Sequence, residues 1–142
     1  MTSFRKLGMT KTSKSQFSIG VDYGTNSVRA LVVDTSNGSE VAMGVFDYPS
    51  GEDGVLADPK DPNVARQNPA DYVGGFFSSV RQAISKAKRV QGFAPERIVG
   101  IGIDTTGSTP IPVDREGTPL AMLPKFKKSL AAHAWLWKDH TA

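Results

Sequence analysis

The chain has 142 residues, of which 39% are hydrophobic and 22% are charged, so it suits one domain or part of a larger protein. Because it contains no cysteine, a disulfide framework, a thiolate nucleophile and a cysteine-based zinc site are excluded. The sequence has no apolar run of about 18 residues, which argues against a transmembrane helix.

The net charge of +3 is unevenly distributed along the chain. Residues 1–16 contain four basic residues and no acidic residue, which leaves a net charge of −1 for the rest. An almost neutral folded part argues against nucleic-acid binding. Residues 1–16 are polar and lack the apolar core of a secretory signal, so they predict a basic disordered extension rather than an organelle-targeting segment. The absence of cysteine fits a reducing compartment, and we expect a cytoplasmic protein that binds neither nucleic acid nor membrane.

The first predicted elements are two short buried strands, Phe17–Asp22 and Val28–Asp34, joined by the polar turn Gly24–Ser27. A glycine lets a ligand approach the backbone, and successive N–H groups in such a turn can bind an anion. Asp22, which ends the first strand, suits a hydrated divalent metal. The hairpin therefore predicts a metal–phosphate site, although an ordinary glycine turn explains the same residues equally well.

A third strand, Glu40–Asp47, follows a turn signal at residues 37–38, so the first three strands are expected to form an antiparallel meander. Residues 48–67 contain three prolines and two glycines and are predicted to form a long irregular loop. A loop of this length in a compact domain is usually functional or mobile.

A helix is predicted to begin after the N-cap Asn68, with Pro69 at its first position, and to extend to about Arg89. The consecutive glycines at residues 74–75 weaken this helix and indicate close packing on a sheet. Its apolar face is expected to lie in the core and comprises Tyr72, Phe76, Val80, Ile84 and Ala87.

A fourth strand, Ile98–Asp104, is predicted to be fully buried, and like the first strand it ends in an aspartate. A helical crossover between the meander and this strand implies an α/β architecture with a mixed sheet. The hydroxyl-rich segment Thr105–Pro110 lies at the carboxyl end of the strand, where ligand sites of open α/β sheets form. Beyond it we predict a hairpin over residues 111–123, a loop with one helical turn over 124–132, and a last strand over 134–138.

The two strand-end carboxylates, Asp22 and Asp104, are compatible with three kinds of protein. A phosphotransferase of the actin and hexokinase superfold would bind ATP phosphates on the hairpin turn and face the acceptor with the second strand-end loop. A ribonuclease-H-like nuclease has the same strand order and holds two metals with strand-end acids, but it needs further carboxylates. In a third interpretation both aspartates are structural and cap turns. These residues favour the phosphotransferase and leave the other two open.

Four segments, in this order along the chain, resemble the FGGY carbohydrate kinases. The segments are Gly20–Ala30, Gly100–Pro110, Val113–Leu120 and Leu136–Ala142. The first is similar to the first phosphate motif of the family, and the other three resemble its ribulokinase members. The resemblance implies that residues 17–142 form an α/β domain of the ribonuclease-H-like fold, with a three-strand antiparallel meander and a crossover helix, truncated at its carboxyl end.

The resemblance implies ATP-dependent phosphorylation of the terminal hydroxyl of a ketopentose, namely L-ribulose to L-ribulose 5-phosphate in L-arabinose catabolism. It implies that Asp22 binds Mg²⁺ through water and that the turn and Arg29 meet the ATP phosphates. The residues implied for the cofactors are Asp22, Gly24, Thr25, Asn26, Ser27 and Arg29. Those implied for the sugar are Thr106, Gly107, Ser108, Trp137, Lys138 and Asp139. Because Trp135 and Trp137 alternate along the predicted strand, only one of them is expected to face the sugar.

The catalytic aspartate, the second phosphate motif and the adenosine-binding residues of this family lie further along its sequences. The chain is therefore expected to contain no catalytic residue and to be inactive alone. Its expected partners are a ketopentose and a carboxyl-terminal kinase domain, and the sequence leaves a homodimer open. Two alternatives remain: another pentulose kinase of the family, acting on D-ribulose or D-xylulose, and a non-catalytic module that binds nucleotide or protein.

Overall fold

The computed structural model describes residues 15–141, which form a four-stranded mixed sheet, one long helix and a smaller three-stranded sheet. In chain order the elements are β1 (Phe17–Tyr23), β2 (Ser27–Asp34), β3 (Glu40–Asp47), β4 (Leu56–Asp58), β5 (Asp61–Gln67), α1 (Pro69–Ala87), β6 (Ile98–Thr105) and β7 (Ala134–Trp135). The predicted disordered extension falls mainly on residues 1–14, which lie outside the described residues. Within the part that is described, no helix is long and apolar enough to cross a membrane.

The main sheet has the strand order β3-β2-β1-β6, with β6 parallel to β1 and the other pairs antiparallel. This confirms the predicted meander and the mixed sheet. Phe17, Ile19 and Val21 of β1 are at most 3% exposed and belong to the core that β1 and β2 form with α1. Because side chains alternate between the two faces of a strand, Gly20 and Asp22 lie on the opposite face of the sheet.

The helix α1 begins as predicted, with Asn68 as its N-cap and Pro69 in its first turn. Asn68 Oδ1 accepts a hydrogen bond from Ala70 N–H at 3.1 Å, which satisfies one of the free donors at the start of the helix. The helix ends at Ala87, and its predicted apolar face packs against the core beside β2 and β3. Gly75 lies against the sheet, because a Cβ atom there would approach Val28 Cγ2 to 2.6 Å.

The prediction of an irregular loop over residues 48–67 is wrong, because β4 and β5 form a hairpin within it. The prolines that suggested a loop occupy positions that a hairpin tolerates: Pro59 lies in the connecting turn, and Pro62 precedes the part of β5 that pairs with β7. The turn is closed by a hydrogen bond from Lys60 N–H to Asp58 Oδ1 at 2.9 Å. This hairpin carries the buried end of β5 towards the turn between β1 and β2.

The prediction that β6 is fully buried is also wrong. Val99, Ile101 and Ile103 are 60%, 49% and 61% exposed, because β6 borders only β1 and the helix α1 lies over β2 and β3 instead. The hairpin expected over residues 111–123 is reduced to a single bridge between Val113 and Pro119, closed by a turn with left-handed Gly117. The last strand is only two residues long, while the helical turn expected within 124–132 is present as a 3-10 turn, Leu130–Ala132.

Candidate functional site

Strand register brings three charged residues together near the carboxyl end of β1. Asp22 lies opposite Arg29 of β2 and beside Asp104 of β6, so the three residues share the face of the sheet that α1 does not cover. All three are exposed. Because neighbouring strands are ~4.8 Å apart, two carboxylates and one guanidinium are attached to adjacent positions of the same surface.

These side chains suit a hydrated magnesium ion. Magnesium takes one or two carboxylates and fills its other positions with water and phosphate oxygens. Among residues 15–141, no group of three or more histidine, cysteine, aspartate or glutamate side chains could hold a metal. Asp104 Oδ1 accepts a hydrogen bond from Thr105 N–H at 3.0 Å. Asp22 forms no ion pair with any residue that the structure describes. Asp22 therefore supplies a donor of the right kind, and its role as a metal-binding residue stays a prediction.

The turn between β1 and β2 is a tight loop whose two central residues are Thr25 and Asn26. Its ends are joined by a hydrogen bond from Gly24 N–H to the Ser27 carbonyl oxygen at 2.9 Å. The backbone of Gly24 is not left-handed, and a Cβ atom there would lie 3.4 Å from the Ser27 oxygen, which is an ordinary contact. Neither the backbone conformation nor packing within the described chain therefore requires a glycine here, and close approach of a ligand to the backbone stays a prediction.

Contacts from outside the hairpin hold this turn in place. Gln67 Nε2 donates to the Thr25 carbonyl oxygen at 2.6 Å, and Trp137 Nε1 donates to Thr25 Oγ1 at 3.2 Å. Asn26 Nδ2 donates to the Asp53 carbonyl oxygen, in the loop after β3, at 2.7 Å. Ser27 is only 8% exposed. Three side chains predicted to meet phosphates are thus engaged or enclosed by the protein, whereas no described residue accepts a hydrogen bond from Asn26 N–H.

The predicted sugar-binding loop lies beside the turn. Thr106 N–H donates to the Tyr23 carbonyl oxygen at 3.1 Å, so the end of β1 holds the start of this loop. Gly107 and Ser108 are exposed, and Ser108 has a left-handed backbone with φ of 55°. A residue with a Cβ atom adopts that conformation at a cost of about 1 kcal/mol, and such strain is concentrated at functional loops.

A cavity of about 250 Å³ lies at the ends of β1 and β6, and Tyr23, Tyr48 and Tyr72 form much of its wall together with Thr105 and Thr106. Burial raises the pKa of Tyr48, and it raises the pKa of Tyr72 to about 12 with help from the nearby negative charge of Asp71. Both hydroxyls therefore stay protonated at neutral pH. Tyr72 was predicted to lie in the core and Tyr48 had no predicted role, because periodicity identifies the buried face of a helix and not a cavity between elements.

The two tryptophans have different environments, in line with their alternation in the sequence. The Arg66 guanidinium lies over the Trp135 ring, with its central carbon 3.8 Å from the ring centroid. Trp137 is 54% exposed and reaches Thr25, so it is the tryptophan on the side of the turn between β1 and β2. Lys138 is exposed and lines the same depression as Asn26.

Asp139 is engaged within the protein. It pairs with Arg66, and the two side chains are 3% and 5% exposed. Its carboxylate also accepts hydrogen bonds from Ala65 N–H at 2.7 Å and from Thr141 Oγ1 at 2.6 Å. Burial alone would raise the pKa of Asp139, but these hydrogen bonds outweigh it and hold the pKa well below its usual range. Asp139 therefore anchors the segment that carries Trp137, and a sugar contact for it stays a prediction.

Sequence reasoning missed Arg66 and Gln67, although both are at most 4% exposed and contact predicted site residues. Both fall in the region predicted to be a loop. Their one visible signal was their place immediately before the N-cap Asn68, which puts them at the end of an element that leads into α1.

The chain is similar in sequence to known proteins over almost all of its length. The chain is 38% identical over 133 residues to the ribulokinase of Vibrio parahaemolyticus serotype O3:K6, a match that covers 94% of this chain and 23% of that protein. It is 40% identical over 133 residues to the ribulokinase of Geobacillus thermodenitrificans, covering 89% of this chain and 22% of that protein. The chain thus spans less than a quarter of the length of these relatives.

The fold is also found in a solved structure, the gluconate kinase from Lactobacillus acidophilus, with a TM-score of 0.62 and 17% identity over 88% of this chain and 20% of that one. This likeness confirms the predicted fold, that of the actin and hexokinase superfold. The family model for the N-terminal domain of the FGGY carbohydrate kinases matches residues 17–134, most of the described chain. The chain therefore belongs to the FGGY family of carbohydrate kinases.

Proposed function

We propose that this chain forms the phosphate-binding and part of the sugar-binding site of an ATP-dependent ketopentose kinase. The observation that carries the proposal is the shared position of Asp22, Arg29 and Asp104 on one face of the sheet, next to the turn between β1 and β2. Phosphoryl transfer depends on positioning and on stabilising the charge of the transferred group, and this arrangement offers both.

In the proposed site each residue has a defined task. Arg29 and the backbone N–H groups of the turn bind the ATP phosphates. Asp22 holds a hydrated magnesium ion, with Asp104 beside it. When bound, magnesium neutralises phosphate charge. Because Gly24 has no Cβ atom, a phosphate can approach the backbone of the turn closely.

We propose that the sugar binds between the loop Thr106–Ser108 and the segment that carries Trp137 and Lys138. The hydrogen bond from Trp137 to Thr25 at 3.2 Å supports this arrangement, because it joins the segment that carries Trp137 to the turn between β1 and β2. A hydroxyl held there would be close to the transferred phosphate, which is the positional advantage that kinases provide.

The proposal places the catalytic base and the adenosine site outside this chain, in further sequence that completes the kinase. Two observations support it. The chain spans 23% and 22% of the two ribulokinases described above. Ile101 and Ile103 lie beside Ile19 and Val21, the buried residues of β1, yet they are 49% and 61% exposed. This apolar surface at the edge of the sheet is available to pack against more protein.

For the substrate we propose L-ribulose, converted to L-ribulose 5-phosphate in the cytoplasm as a step of L-arabinose catabolism. The support is the identity of 38% and 40% with two proteins named ribulokinase. Other pentuloses are the competing substrates within the family, and a non-catalytic nucleotide-binding module is the competing function outside it.

The test is ADP release by the complete product of the gene that encodes this chain, with ATP, magnesium and a panel of L-ribulose, D-ribulose, D-xylulose and glycerol. We expect turnover with L-ribulose that falls at least a hundredfold in Asp22→Asn. The matched control is Glu40→Gln, which removes an exposed carboxylate from the opposite end of the same sheet and should leave turnover unchanged. Preference for another sugar would overturn the proposed substrate but not the proposed kinase activity. No sugar-dependent ADP release from the folded protein would overturn the kinase proposal and favour the non-catalytic binding module.

A further inference from the structure

Gln67 is the most enclosed polar side chain near the turn between β1 and β2. It is the last residue of β5, and it is only 1% exposed. A buried amide must find hydrogen-bond partners or lose stability, so its contacts are a requirement of the fold and not an accident of a surface rotamer. Both of its polar atoms are satisfied, one by the turn and one by α1.

The orientation of the Gln67 amide follows from the chemistry of its two partners. The Thr25 carbonyl oxygen can only accept a hydrogen bond, so the amide nitrogen must face it, at 2.6 Å. The amide oxygen then accepts from the Tyr72 hydroxyl, also at 2.6 Å. Burial raises the pKa of Tyr72 to about 12, so this hydroxyl keeps its proton at neutral pH and remains a donor. The result is a continuous link from α1 through Gln67 to the turn.

Holding the Thr25 carbonyl also fixes the next backbone N–H. The peptide bond is planar and trans, so the carbonyl of Thr25 and the N–H of Asn26 point in opposite directions. With the carbonyl oxygen held by Gln67, the Asn26 N–H is directed away from the buried amide. No described residue accepts a hydrogen bond from it, whereas the Asn26 carbonyl oxygen accepts from Tyr48 N–H at 2.9 Å. The turn therefore presents Asn26 N–H as a donor whose direction Gln67 helps to fix, beside Thr25 N–H, for which no described residue accepts a hydrogen bond either.

We propose that Gln67 is a positioning residue, whose buried side chain holds the Thr25 carbonyl so that Asn26 N–H is aimed at a nucleotide phosphate. This inference rests on the proposed kinase function for the identity of the ligand. The link to the turn itself does not, because it is a property of the protein without nucleotide. Gln67 does not touch the reacting atoms, so its effect is on the geometry of the turn and on ATP binding.

The test compares Gln67→Met with a matched control, Gln82→Met, in the complete gene product. Gln82 is a second glutamine whose Nε2 donates to a strand carbonyl, that of Val45, at 3.0 Å, but it joins α1 to β3 away from the turn. Hydrogen exchange is measured without nucleotide at the two amides whose hydrogen bonds hold the turn, Gly24 N–H to the Ser27 carbonyl oxygen and Tyr48 N–H to the Asn26 carbonyl oxygen. KM for ATP, KM for sugar and kcat are measured with nucleotide. Gln67→Met should speed exchange in the turn and raise KM for ATP about tenfold each, the effect of one lost buried hydrogen bond. KM for sugar should change less than KM for ATP.

A second variant guards against a global folding defect. Tyr72→Phe removes only the hydroxyl that orients Gln67, and it should shift turn exchange and KM for ATP in the same direction by a smaller factor. Turn exchange in Gln67→Met equal to wild type, or raised equally by Gln82→Met, would overturn the inference. Faster turn exchange with an unchanged KM for ATP would do the same. Failure of the kinase proposal is separate, because it appears as absent ADP release in the unsubstituted protein.

Discussion

Removing the carboxylate charge of Asp139 should loosen the segment that carries Trp137. Asp139 and Arg66 form an ion pair whose side chains are 3% and 5% exposed, so neither is compensated by bulk water. Asp139→Asn keeps the shape of the side chain but leaves the guanidinium buried without a counter-charge. Breaking one partner of a buried pair costs about 3–5 kcal/mol. We expect a value near the lower limit, about 3 kcal/mol, because Arg66 keeps its contact with the Trp135 ring.

The loss can be measured as the free energy of local opening, from native-state hydrogen exchange of the complete gene product. Two amides report on the segment: Leu136 N–H donates to the Ala65 carbonyl oxygen at 3.0 Å, and His140 N–H donates to the Asn63 carbonyl oxygen at 2.9 Å. Both should exchange about a hundredfold faster in Asp139→Asn, which is the factor that ~3 kcal/mol corresponds to. Amides in the centre of β2 should be unchanged, since they lie in the other sheet.

The same pair makes a prediction for pH. Because hydrogen bonds hold the pKa of Asp139 below its usual range, the folded state binds the proton more weakly than the unfolded state does. The stabilisation is therefore complete above the ordinary carboxyl pKa of about 3.9 and is lost as pH falls below it. Acidification from pH 5 to pH 2.5 should lower the opening free energy at these amides in the wild type more than in Asp139→Asn.

The control is the double variant Arg66→Met with Asp139→Asn. This variant also removes the buried guanidinium, so it should be less destabilised than Asp139→Asn alone. If lost packing were the cause instead, the second substitution would add to the destabilisation. Equal exchange in Asp139→Asn and the wild type, or a double variant at least as unstable as the single one, would refute the reasoning about the buried pair.

Gly24→Ala should fold with an unchanged thermal midpoint, because its Cβ atom would make only an ordinary contact at 3.4 Å, yet KM for ATP should rise about tenfold or more if phosphate approaches the backbone there. An unchanged KM would remove that explanation of the glycine. Gly75→Ala should lower the unfolding free energy by about 1–3 kcal/mol, because the added atom would lie 2.6 Å from Val28 Cγ2. Gly74→Ala, at the exposed neighbouring position, should instead raise the unfolding free energy by up to about 1 kcal/mol, because alanine favours the helix more than glycine does. Thermal unfolding of the two variants measures both changes. Ser108→Gly should not lower the thermal midpoint, since φ is 55°, whereas KM for the sugar should rise if the serine hydroxyl contacts it.

Some elements followed from the sequence because a local pattern specifies them. The start of α1 was predictable from Asn68 and Pro69, since a cap depends only on residues next to it in the chain. The meander was predictable from short apolar runs and an Asn-Gly turn, and its third strand has the predicted bounds Glu40–Asp47. Prolines misled the prediction for β5, because whether a proline disrupts a strand depends on which edge is paired.

The sequence by itself determined the residue types of the candidate site: two strand-end aspartates, an arginine and a glycine-containing turn. It also determined the family, through four segments in order along the chain. Only the tertiary structure decided which of these residues meet. Sheet register puts Asp22 between Arg29 and Asp104, and no local pattern specifies which residues of distant strands become neighbours. The structure likewise decided that Gln67 holds the turn from 42 positions away, because a buried amide finds its partners in three dimensions and leaves no periodic signal in the chain.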